Sequence, residues 1–115
     1  MIVYTAGPYT AKDGVGSVND NIARARDVAV QLWGAGYTVI CPHMNTAHME
    51  LYTGMTSDQF VDKDLELVKA SDTIVMLPYW EQSRGAVREL ECARSMGKVV
   101  WYWPEVPGVQ KSSAA

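Results

Sequence analysis

Two carboxylates stand at positions where a simple structural use is hard to find, and together they suggest chemistry. On a helix, Glu89 has Gly85, Ala86, Cys92 and Ala93 as its i±3 and i±4 neighbours, a face of small residues that something could approach. Glu91, by contrast, shares its face with Arg88 and Arg94 and reads as part of a solvated charge ladder. The helical pattern begins near Gly85, so Glu89 falls in the first turns, where the helix N-terminus favours an ionised carboxylate and offers it as a nucleophile at neutral pH. The alternative is a glutamate that only helps the helix start. Asp64 has Phe60 and Val68 at i−4 and i+4, on the apolar stripe of its own helix, whereas Asp62 lies between Asp58 and Glu66 and looks solvated. A charge pointed inward needs a partner or a purpose. Asp64 therefore either pairs with a backbone amide or an arginine, or takes part in chemistry. One acid as nucleophile and one as proton donor is the arrangement that cleaves glycosidic bonds.

The elements that must position these acids alternate along the chain. Residues 2–6 form a short apolar run that breaks at Gly7-Pro8, and a loop to Ser17 follows with Gly14 and Gly16 beside Lys12. Asn19 to Trp33 carries Ile22, Ala25, Ala29, Leu32 and Trp33 at helical spacing, with Gly34 and Gly36 as stop signals. Residues 37–41 read as a second strand closed by Pro42, and 43–55 as a loop rich in Met, His, Asn and Thr. Thr56 and Gln59 have capping-box spacing, and Phe60, Val61, Leu65 and Val68 continue a helix to about Ala70. A strand at 73–77, a helix at 86–96 and a strand at 98–103 complete a βαβαβαβ alternation. Its strands are continuous apolar runs, as expected when helices cover both faces of a parallel sheet. The predicted fold is one α/β domain over residues 1–103, a flavodoxin/Rossmann-like doubly wound parallel sheet of about four strands. Residues 104–115 have no period and read as a mobile tail.

Composition excludes several functions. With 48% hydrophobic residues, 20% charged residues and a net charge of −3, nothing suggests a polymeric nucleic acid or an acidic membrane surface as partner. Met1 leads straight into a strand-like run without a basic segment, so no secretory signal is read and a cytoplasmic location is expected. The uncharged stretch 28–49 is interrupted by Gly34, Gly36, Pro42 and two histidines, which rules out a spanning helix. Cys41 and Cys92 lack metal-ligand or redox spacing and are expected to be reduced. His43 and His48 lie five apart in a loop, on no common helix face, and no carboxylate pattern completes a site with Cys41. No metal or other cofactor is expected. Gly7, Gly14 and Gly16 lack the dinucleotide spacing, so they read as turn glycines, with an amide contact to a phosphate or hydroxyl as the alternative. Trp101, Tyr102 and Trp103 suit core or subunit packing.

In a doubly wound sheet the crevice lies beyond the carboxyl ends of the strands. The loops at 7–17, 42–55 and 78–84 should converge there, which makes Gly7, Pro8, Asn45 and Ser83, with Gly85 and Ala86 at the helix start that follows, the expected substrate-binding residues.

Tyr4-Thr-Ala-Gly-Pro at the first strand, Asp64-Leu before Ala70-Ser-Asp72, and Ser83-x-Gly85-Ala86-x-x-Glu89 before Ala93 and Gly97-Lys98 resemble the nucleoside 2-deoxyribosyltransferase superfamily. That superfamily includes the deoxynucleoside 5′-monophosphate N-glycosidases and small phage-type relatives. The resemblance covers nearly all of residues 1–103 and rests on order and spacing rather than on one diagnostic motif. It implies that Glu89 attacks C1′ of the sugar, that Asp64 assists departure of the base, and that Tyr4 helps position the nucleophile. It also implies a small nucleoside or nucleotide as substrate and a homodimer or larger assembly in which a neighbouring chain helps close the pocket. Two departures stand out: this chain is short enough to lack a fifth strand, and the transferases often have aspartate where Ser83 stands. The resulting expectation is hydrolysis of the N-glycosidic bond of a deoxynucleoside or its monophosphate, through a glycosyl–Glu89 intermediate resolved by water. Base exchange, or a nucleotide-binding module without turnover, are the alternatives.

Overall fold

The computed structural model describes residues 1–110. In chain order the elements are β1 (Ile2–Ala6), α1 (Val18–Gly34), β2 (Thr38–Ile40), α2 (Pro42–Asn45), α3 (Glu50–Thr53), α4 (Ser57–Ala70), β3 (Thr73–Met76), α5 (Arg84–Ser95) and β4 (Val99–Tyr102). The four strands form one parallel sheet in the order β2-β1-β3-β4. The chain thus builds outward from β1 to β2, then crosses to the other side of β1 for β3 and β4. This doubly wound order matches the predicted class and places a switch point between β1 and β3.

Strand alternation assigns each core residue to a face. Val3 of β1 and Val75 of β3 point to one side, where they pack with Ala25, Val28, Ala29 and Leu32 of α1. Tyr4 and Ala6 of β1, with Ile74 and Met76 of β3, point to the other, against Val68 of α4 and Ala86, Leu90 and Ala93 of α5. Tyr4 is therefore aimed at α5 by nothing more than its even position on β1. The three long helices, α1, α4 and α5, begin where side chains cap them. Ser17 and Asp20 form a capping box for α1, and Thr56 and Gln59 form the expected one for α4.

Three expectations are corrected. The stretch 43–55 is not all loop, since it holds most of α2 and all of α3. Residues 104–110 are no free tail: Val106 is buried with the α1 side of the core, and Tyr37 donates from its hydroxyl to the Pro107 carbonyl at 2.6 Å. Residues 111–115 of the predicted tail lie outside the described residues. Glu91 is exposed as expected, but its arginines turn elsewhere. Arg88 pairs with Asp58 and Asp62 of α4, and Arg94 donates to the Tyr102 hydroxyl at 2.8 Å. Neighbouring elements offered these cations nearer partners than the next turn of their own helix. Among the described residues no helix is long and apolar enough to cross a membrane.

Candidate active site

A cavity of about 480 Å³ opens beyond the carboxyl ends of β1 and β3, at the switch point. The loop after β1 supplies Gly7 to its lining, α4 supplies Asp64, and the start of α5 supplies Ser83, Gly85, Ala86 and Glu89. Two of the glycines allow close approach at this point. A Cβ on Gly7 would lie 2.7 Å from Cβ of Leu77, so only glycine lets the ends of β1 and β3 pack together here. A Cβ on Gly85 would lie 2.9 Å from Cγ2 of Val61, which brings α4 tight against α5. The small-residue face around Glu89 is thus filled in part by the protein itself: Ala86 and Ala93 meet the sheet, and Gly85 meets α4.

Glu89 is 6% exposed and accepts a hydrogen bond from the Tyr4 hydroxyl. It is the sixth residue of α5, beyond the first turn, so burial rather than the helix N-terminus decides its protonation. Burial pushes its carboxyl up to about 8, the Tyr4 hydrogen bond opposes this, and the nearby Asp64 charge adds to it. This overturns the expectation of a carboxylate ionised at neutral pH by the helix. Tyr4, itself fully buried, is held well above the ordinary phenol range by burial and then by Glu89 and Asp64, so it remains a neutral donor. Asp64 is half-buried and makes no hydrogen bond or ion pair among the described residues; burial raises it to about 6. The backbone amide or arginine that would make Asp64 structural is not there. At neutral pH the two acids share one proton, and the Asp64 charge opposes ionisation of Glu89.

Ser83 caps α5, its Oγ accepting from the Ala86 amide at 3.1 Å. Capping uses an acceptor lone pair, so the hydroxyl proton remains available to the cavity. Arg84 and Lys12 also line it, exposed at the mouth. Other predicted residues sit differently. The Pro8 carbonyl accepts from Nε2 of His43 at 2.7 Å, but Pro8 is not among the lining residues. Asn45 is exposed at the end of α2 and does not reach the cavity, because the turn into α2 carries it past the rim. His43 and His48 do not converge as ligands: His43 is buried against Pro8, while His48 donates its backbone amide to the Tyr9 hydroxyl.

Sequence reading missed Tyr9, Thr46, Glu50 and Phe60 and took His43 only as a rejected metal ligand, yet all five line the cavity. The Tyr9 hydroxyl donates to Glu50 at 2.8 Å and so ties α3 to the loop after β1. Tyr9 and Glu50 lie 41 residues apart, and no spacing rule connects them. Only the position of Tyr9 directly after Gly7-Pro8 at a strand end pointed to it.

A doubly wound sheet with a buried glutamate and a half-buried aspartate at its switch point is the class that fold and site define. Within it, the chain belongs to the family described as Domain of unknown function (DUF4406), which matches residues 1–102. No curated protein matched the chain.

Proposed function

We propose that the protein hydrolyses the N-glycosidic bond of a deoxynucleoside 5′-monophosphate. The observation that carries this reading is the buried Tyr4–Glu89 pair with the unpaired Asp64 on the wall of the same cavity. In the reactive form the shared proton sits on Asp64 and Glu89 is the carboxylate, steadied by the Tyr4 hydroxyl. A Glu89 oxygen bonds to C1′ while the C1′–N bond breaks, its electron pair leaving with the base as Asp64 delivers its proton there. Water then attacks C1′ and gives a proton to the Asp64 carboxylate, which frees Glu89. Burial serves this chemistry because a desolvated carboxylate is a stronger nucleophile; Glu89, at about 8, holds the shared proton more tightly than Asp64, at about 6, so the reactive form is the minor one of the two.

The 5′-phosphate would be met by the Ser83 hydroxyl and by the cations Lys12 and Arg84 at the mouth. The same reading includes self-association, since β2 and β4 are open sheet edges and Val99 and Tyr102 are exposed on β4.

Incubation with a panel of deoxynucleosides and their monophosphates, with and without a second base, tests the reading by chromatography of free base. Release without an acceptor supports hydrolysis. Exchange only with an acceptor assigns a transferase, and binding without either assigns a nucleotide-binding module.

A further inference from the structure

The hydrolysis reading uses the Glu89 side of the cavity and leaves the opposite wall, formed by Tyr9, His43, Thr46 and Glu50, without a task. Tyr9 links two of the others directly. The Tyr9 and His43 rings meet edge to face at 5.8 Å, and the Tyr9 hydroxyl reaches both Glu50 oxygens, at 2.8 and 3.1 Å.

An inventory of their hydrogens gives a one-sided result. The Tyr9 proton is spent on Glu50, and its oxygen already accepts from the His48 amide at 2.8 Å. Thr46 Oγ1 donates to the Pro42 carbonyl at 3.2 Å, which leaves only lone pairs. His43 Nε2 faces the Pro8 carbonyl, which can only accept, so this nitrogen carries the ring proton. Burial holds the imidazole below its usual value and hence neutral. Its Nδ1 is then a lone pair, buried and with no partner among the described residues. The Glu50 oxygens accept from the Tyr9 hydroxyl and keep lone pairs beyond those facing it. Every side chain of this wall has spent its donors inside the protein and offers acceptors alone.

We propose that this wall selects a nucleobase by its exocyclic amino group, with Glu50 as the residue that receives it. The inference rests on the reading of the cavity as a nucleotide site. An amino group brings donors to these side chains, whereas a base lacking it covers the carboxylate and leaves Tyr9 as its sole donor.

The test uses monophosphate pairs that differ only in the amino group: 2′-deoxyguanosine against 2′-deoxyinosine, and 2′-deoxyadenosine against the unsubstituted purine deoxynucleoside. Selectivity is read as kcat/KM where base is released and as Kd by calorimetry in every case. The amino-bearing member of each pair is favoured on the order of tenfold or more. Glu50→Gln keeps an oxygen for the Tyr9 hydroxyl but turns an NH₂ group toward the base, and the preference collapses. Equal or better use of the member without the amino group, or a preference untouched by Glu50→Gln, overturns the assignment. An amino preference in binding without base release keeps the acceptor wall and removes the hydrolase. Base release without amino preference does the reverse, and failure of every nucleotide to bind removes both.

Discussion

Gly85 of α5 meets Val61 of α4 so closely that a Cβ on the glycine would stand 2.9 Å from Cγ2 of the valine. Asp64 is one turn beyond Val61, and Glu89 is one turn beyond Gly85. The tight crossing therefore sets how near the two acids lie. Gly85→Ala must push α4 outward, with a stability loss of about 1–3 kcal/mol typical of overpacking and a fall in kcat. Val61→Ala added to Gly85→Ala restores the space and recovers most of both losses. Thermal denaturation and kcat of the single and double variants check this; no recovery in the double variant would place the role of Gly85 in backbone contact with substrate instead.

How much of this could be read beforehand follows from what is local. Strand and helix positions were legible because apolar runs and capping residues are properties of short windows; the box at Thr56 and Gln59 falls where it was expected. The acids were found because Asp64 and Glu89 break the pattern of their own helices. Protonation was misread because burial between packed elements outweighs the helix start, and even the hydrogen bond that opposes it comes from Tyr4, 85 positions away. Arg88 was given to Glu91 for the same reason: its partners Asp58 and Asp62 belong to another helix. The packing of Val106 and the wall containing Tyr9 and Glu50 are likewise products of contacts across the chain.

The acid pair predicts a bell-shaped pH dependence of kcat/KM. Below about 6 both acids are protonated and no nucleophile exists; above about 8 both are ionised and no proton reaches the base. Asp64→Asn lowers kcat by about 10²- to 10⁴-fold and removes the alkaline fall, because only ionisation of Glu89 then controls the rate. It leaves folding nearly intact, since Asp64 has no partner to lose. A pH–rate profile of both proteins measures this, and normal activity in Asp64→Asn would leave Glu89 without its acid.

Stability should also depend on pH, in a direction opposite to that of salt-bridged carboxylates. Glu89 is raised from its ordinary 4.5 to about 8, so the folded state holds a proton that the unfolded state has released. Its contribution is full below about 4.5 and is lost as pH rises toward 8. Glu89→Gln removes this loss, so its Tm exceeds that of the wild type most at alkaline pH. Thermal scans from about pH 3.5 to about pH 9, roughly one unit beyond each value, check the sign.

Ser83 combines capping of α5 with a free hydroxyl proton at the cavity, next to Arg84. Ser83→Asp keeps a cap but places a carboxylate where a phosphate dianion would bind. The ratio of kcat/KM for a monophosphate over its nucleoside therefore falls, by on the order of tenfold or more for two like charges brought together. A ratio that Ser83→Asp leaves untouched would return Ser83 to capping alone.

The role of Glu89 in the reaction is measured by base release from deoxynucleoside 5′-monophosphates with wild type and Glu89→Gln at equal concentrations of folded protein. A nucleophilic Glu89 gives steady release by the wild type and a loss of about 10³-fold or more in Glu89→Gln, with Glu91→Ala close to wild type. Release by Glu89→Gln at the wild-type rate, or equal losses from Glu89→Gln and Glu91→Ala, would contradict it.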